Sequence, residues 1–515
     1  MGGINIFKLK FFFPSMEKFF WADKIAEDII KQKGRKKEFV CASGITPSGT
    51  VHIGNFREVI TTDLVVRALK SKGRKAKFIY SWDDFDRFRK VPENLPEKKK
   101  KEWENYIGMP VSEVPSPYDD KKSYAEHFEQ EFEKSLADVG IKPNFIRQNQ
   151  RNKKCFYAPL IKKALDERKK IIKILDKYRK EPLEKDWMPI EVYCEKCRKD
   201  STKILKVEGY VIGYECECGF KNEFDFRKKG IVKLKWRIDW PSRWFYEKVD
   251  FEPGGNDHSV HGGSFMTGKE ISKEIYNYDA PMYVMYDFVN IKGAEGKMSK
   301  SKGNVVTLKD VEEIYEPEII RYLFVGTRPN KGFEISFDND VIKIYEDYDE
   351  LERKYFEKEA NGQEKRIYEL SVLKVPKKKP ERISFRHLTT LIQTGKTEKL
   401  GKYGKQRAEK AKNWIEKYAT DDFKFELKEK VETKLTENQK EAMISLKEIL
   451  KTKKINEDDL LNEFYNISNA SGINVKEFFE TAYVIIIGKR KGPRLANLIF
   501  AIGKDKVIKL LEQIK

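Results

Sequence analysis

The segment Glu38-Phe39-Val40-Cys41-Ala42-Ser43 runs straight into Gly44-Ile45-Thr46-Pro47-Ser48-Gly49-Thr50-Val51-His52-Ile53-Gly54-Asn55. The first six residues read as a short buried strand, and the Gly/Pro/Ser cluster after them reads as a turn. A helical pattern follows from about Asn55 to Leu69, and a second strand, Ala76 to Trp82, ends at Asp83, Asp84 and Asp86. Strand, Gly-rich turn, helix and strand make one βαβ unit of a parallel sheet. Ligands of such sheets bind beyond the carboxyl ends of the strands. The Gly44–Gly54 loop and the Asp83–Asp86 cluster both lie there.

Working outward, an amphipathic segment opens at Met16 (Phe19, Phe20, Ile25, Ile29, Ile30) and ends at Gly34. Ile4 to Phe13 is apolar, but Lys8 and Lys10 interrupt it and no small-residue cleavage site follows, so it does not read as a signal peptide. Residues 1–15 are expected to be a disordered N-terminal extension. Downstream, residues 91–120 are Pro-rich and read as loop. Residues 121–180 read as helices with a turn near Gly140 to Asn144. Short alternating segments with four Cys fill 190–230, and α/β character returns over 231–300, with a strand near Met282 to Val289. From about 341 the pattern is helical to the end, with Pro376-Lys377-Lys378-Lys379-Pro380 a candidate linker.

The chain has 515 residues, enough for three or four domains at about 150 residues each. At 39% hydrophobic and 13% aromatic it is too apolar for a disordered chain. The longest aliphatic run, Val484 to Ile487, is far short of the ~20 residues of a spanning helix, so no membrane is expected. Lys plus Arg number 103 and Asp plus Glu 83, a net charge of +20. That excess suits a polyanionic partner, and suits a Lys-rich solvated surface as well. Six Cys in a chain this long do not make a disulfide scaffold; a reduced, cytoplasmic setting fits better.

Three groups of residues carry chemistry. In the first loop, glycines let backbone approach a ligand, and the helix start offers N–H groups and a positive dipole end to phosphate. His52 stands where an imidazole can reach a phosphate oxygen, although an ordinary βα turn would look the same. The second is Gly296-Lys297-Met298-Ser299-Lys300-Ser301-Lys302-Gly303-Asn304, a cationic glycine-bounded loop suited to a pyrophosphate leaving group. The third is Cys194-x-x-Cys197 and Cys216-x-Cys218, two close pairs with an 18-residue spacer, which read as a structural Zn²⁺ site. Cys41 and Cys155 are isolated and read as incidental thiols.

His52-Ile53-Gly54-Asn55 and Lys297-Met298-Ser299-Lys300-Ser301, about 250 residues apart, resemble the HIGH and KMSKS signatures of class I aminoacyl-tRNA synthetases. Asn55 in the last place of the first is a variant. Ala42 to Gly49, Asp83-Asp84-Phe85-Asp86-Arg87, Trp236-Arg237 with Asp239-Trp240, Asn256-Asp257-His258, Phe385-Arg386-His387-Leu388 and Gly492-Pro493-Arg494-Leu495 are similar to the class I lysyl-tRNA synthetases. The resemblance covers residues 16–515.

The resemblance implies an α/β, Rossmann-type catalytic core with an inserted zinc region, followed by an all-α anticodon-binding region. The expected divisions are 16–185 and 231–300 for the two halves of the core, 186–230 for the zinc insertion, 301–345 for a stem-contact fold and 346–515 for the helical region. It implies that L-lysine, ATP with Mg²⁺, and tRNA(Lys) are the partners. Pro47, Ser48, Gly49, His52, Gly54, Asn55, Asn256, Asp257, Lys297, Met298 and Lys300 would contact ATP. His52, Lys297, Lys300, Ser299 and Ser301 would assist the chemistry. Gly44, Thr46, Trp236, His258 and Tyr286 would line the lysine pocket.

The lysine ammonium needs aromatic walls and an acidic partner, and Asp83, Asp84 and Asp86 are the acidic candidates. Helix capping or pairing with Arg87 or Arg89 explains these carboxylates equally simply. Core packing explains Trp236 and Tyr286, and turn formation explains Asn256-Asp257. Tyr483, Lys489, Arg490, Lys491 and Arg494 are candidates for the anticodon surface, with packed or solvated helix ends as the alternative. A glutamyl-type synthetase, an inactive zinc-containing RNA-binding protein and a tRNA-independent nucleotidyltransferase remain the competing readings.

Overall fold

Phe39, Cys41, Ala42 and Ser43 of the first strand, β1 (Phe39–Ile45), are all buried, as a strand covered on both faces must be. A computed structural model describes residues 20–34, 36–93, 95–293, 305–398 and 400–514. The expected extension and the segment Lys297–Ser301 lie outside the described residues. Strand β2 (Ala76–Trp82) pairs with β1 in parallel, from Phe39 opposite Ala76 to Ile45 opposite Trp82. Strand β3 (Asn144–Arg147) adds a parallel edge beside β2. The sequence reading has only a turn near this point. Four residues between helices carry too little alternation to declare a strand, and β3 exists because β2 offers an edge.

An insertion follows. Strands β4 (Ile190–Val192) and β8 (Val232–Leu234) pair antiparallel at its base. Between them β5 (Thr202–Glu208), β6 (Val211–Cys216) and β7 (Lys221–Asp225) form an antiparallel three-stranded sheet. The chain then returns to the main sheet with β9 (Phe251–Gly255) and β10 (Met282–Tyr286), completing the order β10-β9-β1-β2-β3. Strands β11 (Val289–Ile291) and β12 (Phe333–Ile335) form a separate parallel pair. The Lys-rich stretch Glu97–Trp103 is a helix inside the segment read as loop.

Strands β1 and β9 share a single register pair, Cys41 with Phe251. The chain order reverses there: β1, β2 and β3 step one way, β9 and β10 the other. This is the topological switch point where α/β sheets hold ligands.

Helix α1 (Trp21–Lys33) packs along helix α2 (Ile53–Ser71), which is buried on nearly every side. The Arg57 guanidinium of α2 donates to the carbonyls of Arg328, Pro329 and Lys331 at 2.6, 3.2 and 3.1 Å. Asp63 of α2 receives the buried Arg321 at 2.6 Å. These bonds fix the helix whose N-cap is His52.

The chain divides into two units. The first holds residues up to Val311 with Ile320–Ile335 and Asn361–Leu373. The second holds Glu312–Ile319, Ser336–Ala360 and Lys374–Lys515. Among the described residues, every element after β12 is a helix. Met443, Leu446, Leu460, Phe464, Phe478 and Leu498 lie in the core of the second unit. Within it, buried Arg407 pairs with Glu316 and Asp349, each at 2.8 Å.

Removing one member of a buried ion pair strands the other. Arg321→Met is therefore expected to lower stability by about 3–5 kcal/mol. An unchanged urea midpoint would show that the Asp63 pair contributes nothing.

Candidate functional site

The turn after β1 leads into α2 through His52. Its Nδ1 accepts the Gly54 N–H at 3.1 Å, and the Asn55 side chain receives the His52 N–H at 3.4 Å. This capping box fixes the ring and places the proton of the neutral imidazole on Nε2. Asn55, in the variant last place of the first signature, thus has a direct structural task.

The second signature, Lys297-Met298-Ser299-Lys300-Ser301, lies outside the described residues. The chain that leaves it is described. The Ile53 N–H donates to the Val306 carbonyl at 2.8 Å, and His52 and Thr307 form an isolated antiparallel bridge. The Thr307 hydroxyl in turn donates to Asp310 at 2.7 Å. The first signature and the exit of the second therefore meet at one point of the backbone.

At the switch point, close packing demands glycine. A Cβ on Gly44 would stand 2.7 Å from the Ser81 carbonyl, and one on Gly254 would stand 2.4 Å from the Tyr283 hydroxyl. Gly49 has φ of 152°, open to glycine and strained for other residues. Pro47 and Ser48 lie in the same turn, where Tyr124 donates to the Ser48 carbonyl.

The other candidates gather around the ends of β1, β2, β9 and β10. Trp236 and Trp240 stack at 5.2 Å, and the His258 ring lies 6.1 and 5.5 Å from them. Asn256 and Asp257 are exposed at the end of β9. Tyr286 donates its hydroxyl to Glu58 at 2.7 Å. Thr46 donates to Asp86 at 2.7 Å.

Each acidic residue after β2 has a partner. Asp83 receives buried Arg243 at 2.6 Å and Asp84 receives the Asn149 N–H at 2.7 Å. Asp86 holds the Lys233 ammonium, whose attraction keeps the carboxyl below its usual range despite burial. Burial pushes Asp84 up to about 7.

Sequence reasoning missed Glu58, Arg243, Lys233 and Glu252. The adjacent charges Arg57-Glu58 between the apolar residues Phe56 and Val59-Ile60 were a usable signal for the first. The others become visible only once distant segments pair.

The four Cys sulfurs lie within 4.8 Å of one another, with Cys194–Cys218 at 3.7 Å and Cys197–Cys216 at 3.5 Å. Tetrahedral thiolates about 2.3 Å from a zinc ion would stand about 3.8 Å apart, so the donor set fits such a metal. In the second unit Tyr483 is buried and donates to the Pro493 carbonyl, and Lys489 donates to the carbonyls of Asp421 and Lys424. Arg490, Lys491 and Arg494 are exposed.

Residues 19–374 match the family described as tRNA synthetases class I (K). The chain belongs to that family. Residues 393–515 match a second family, described as an anticodon binding domain. The chain is 47% identical to the lysine–tRNA ligase of Borreliella burgdorferi over 95% of its own length and 98% of the relative's. It is 41% identical to that of Pyrococcus horikoshii over 95% and 99%, and 43% identical to that of Treponema pallidum over 95% and 98%. As a class I synthetase of the lysyl type, the protein is an aminoacyl-tRNA ligase.

Lys233, Asp86 and Thr46 form one bonded chain. Lys233 sits on β8, at the base of the cysteine insertion, and the Tyr193 hydroxyl on the same base donates to the Phe85 carbonyl at 2.9 Å. The insertion thus fixes the turn that orients the Thr46 hydroxyl. Lys233→Met is expected to raise KM for the amino acid on the order of tenfold or more through lost positioning, with less effect on kcat. Equal KM in steady-state aminoacylation would exclude that coupling.

Proposed function

We propose that the protein joins L-lysine to tRNA(Lys) using ATP. The observation that carries this reading is sequence identity along the whole chain to lysine–tRNA ligases of bacteria and archaea. In the first step the lysine carboxylate attacks the α-phosphate in line, giving lysyl-adenylate and pyrophosphate. In the second a ribose hydroxyl of the terminal tRNA adenosine attacks the acyl carbon and AMP leaves. Neither step calls for a protein nucleophile; positioning and charge stabilisation suffice.

The amides of the first loop and the start of α2, with His52 Nε2, would hold the phosphates. Lys297 and Lys300, assisted by Ser299 and Ser301, would take up the charge of the departing pyrophosphate. Asn256 and Asp257 would face the adenosine, and Gly44, Thr46, Trp236, His258 and Tyr286 the lysine. Mg²⁺, when bound with ATP, would share the phosphate charge. Cys194, Cys197, Cys216 and Cys218 would hold a structural Zn²⁺. Residues 301–345 would approach the acceptor stem, and the helices of 346–515 the anticodon.

ATP–pyrophosphate exchange with each of the twenty amino acids, with and without total tRNA, tests the assignment. Exchange driven by lysine is expected, and exchange driven by another amino acid in its place overturns it. Lys297→Ala should lower turnover by roughly 10²–10³ with a small effect on lysine binding, because it removes charge stabilisation specific to the transition state. Elemental analysis should find one zinc per chain. Cys197→Ser should lose that metal and melt at a lower temperature, since metal binding and folding of such a site are linked; a metal-free wild-type chain would rule the zinc out.

A further inference from the structure

Asn256 and Asp257 stand at the start of a turn, 256–263, that joins β9 to the helix Ser264–Glu274. Both are exposed, and Val260 beyond them is 54% exposed, so burial does not hold the turn in place. Its backbone is nevertheless tightly drawn. The Gly263 N–H donates to the Val260 carbonyl at 2.8 Å, and a Cβ on Gly263 would stand 2.5 Å from the His258 carbonyl oxygen. The near end is tied by Ser259, whose hydroxyl donates to the Gly255 carbonyl at 3.0 Å.

Two side chains from elsewhere in the chain grip the far end. Arg237, in the first turn of the helix Trp236–Glu247, donates from Nη1 to the Gly262 carbonyl at 2.8 Å and to the Thr267 hydroxyl at 3.1 Å. Tyr178, just past the helix Arg168–Asp176, packs on the same residue. Its ring lies 5.6 Å from the His261 ring, and a Cβ on Gly262 would stand 3.0 Å from the Tyr178 Cβ. Gly262 has φ of 70°, so both its backbone and the tyrosine beside it call for glycine.

Tyr178 is itself fixed. Its hydroxyl donates to Glu270 on the helix Ser264–Glu274, and Lys177 pairs with the same carboxylate. Lys170 reaches Glu274, one turn further along that helix, at 3.0 Å. The helix before Tyr178 and the helix after the turn are thus joined at two points, and the tyrosine ring carries that seam onto Gly262. The His258 ring on the same turn is held separately, against Trp236 and Trp240.

We propose that Tyr178 and Arg237 are positioning residues that pin the turn 256–263 at Gly262 and thereby hold Asn256 and Asp257 where the adenosine of ATP binds. The inference rests on the reading above that Asn256 and Asp257 face the adenosine, and it assigns what keeps them there.

The test compares wild type, Tyr178→Ala, Arg237→Met, Arg237→Lys and Asn256→Ala, all full-length, in pyrophosphate exchange with tRNA present, varying ATP and lysine separately. Tyr178→Ala and Arg237→Met are each expected to raise KM for ATP by roughly tenfold, with a much smaller change in KM for lysine, because a misplaced binding group weakens the ligand it meets. Arg237→Lys keeps one cationic donor for the Gly262 carbonyl and should recover part of the loss. A rise in both KM values by the same factor would assign the two residues to the scaffold and overturn the proposal. So would an Arg237→Lys no better than Arg237→Met. If Tyr178→Ala does not fold, the two Arg237 variants carry the comparison under the same criteria. A KM for ATP raised in Asn256→Ala and unchanged in Tyr178→Ala and Arg237→Met defeats only this inference, whereas a KM for ATP unchanged in all of them defeats the adenosine reading as well.

Discussion

The Gly44 N–H has no strand to donate to. β9 pairs with β1 only at Cys41 and Phe251, so the ladder ends before Gly44, and a buried amide without an acceptor is strongly unfavourable. A side chain must supply the acceptor, and Glu58 does so from the helix beneath. That one requirement places a carboxylate at the switch point between β1 and β9. Residue 44 is glycine for a separate reason: the neighbouring strand leaves no room for a Cβ. The separation of two strands, which every switch point shares, is here chemically specific because of the group used to close it.

A buried carboxylate in turn constrains its surroundings. Desolvation disfavours its charged form, and the nearby Asp83 and Glu252 add to the effect. Arg243 offsets part of this by pairing with Asp83 and Asp239. Lys233 offsets another part at Asp86, and it arrives from the base of the cysteine insertion rather than from the sheet. The insertion is thus more than an appendage: its folding delivers a cation to the acidic turn. Through Lys233 and Asp86 the base of the insertion is tied to the Thr46 loop.

The core βαβ unit was legible because its signals are local. The strand Ala76–Trp82 has the limits its sequence suggests, and α2 differs from expectation by two residues at each end. Gly and Pro mark the turn between them. The cysteine pairs were legible because ligand spacing is a local property. Lys297–Ser301 was legible from its string alone and lies outside the described residues. What sequence did not reveal depends on distant partners. Asp83, Asp84 and Asp86 look alike in a row, and only the arrival of Arg243, the Asn149 amide and Lys233 distinguishes them. Glu58 looks like one more helix glutamate until β1 and β9 are seen to part. β3 is too short to announce itself without β2. For Tyr483 the packed helix end weighed against the anticodon surface is what the structure shows, with its hydroxyl on the Pro493 carbonyl.

Helix α2 gathers these constraints into one rigid body. Its cap, His52, is bridged to Thr307, and Thr307 itself begins the helix Leu308–Ile314 through Asp310. Two helix starts therefore lie side by side, each with the positive end of its dipole at the His52–Thr307 bridge. Further along α2, Arg57 fixes the segment 328–331, Glu58 receives the Gly44 N–H and Asp63 holds Arg321. Each of these polar groups has its partner at one helical phase only. A shift of α2 by a single residue would turn every one of them by about 100° and leave several buried charges unmatched. Register on this helix is thus enforced by charge as well as by packing. The distance between His52 at the start of α2 and the Glu58 carboxylate is held by the same bonds that hold the fold.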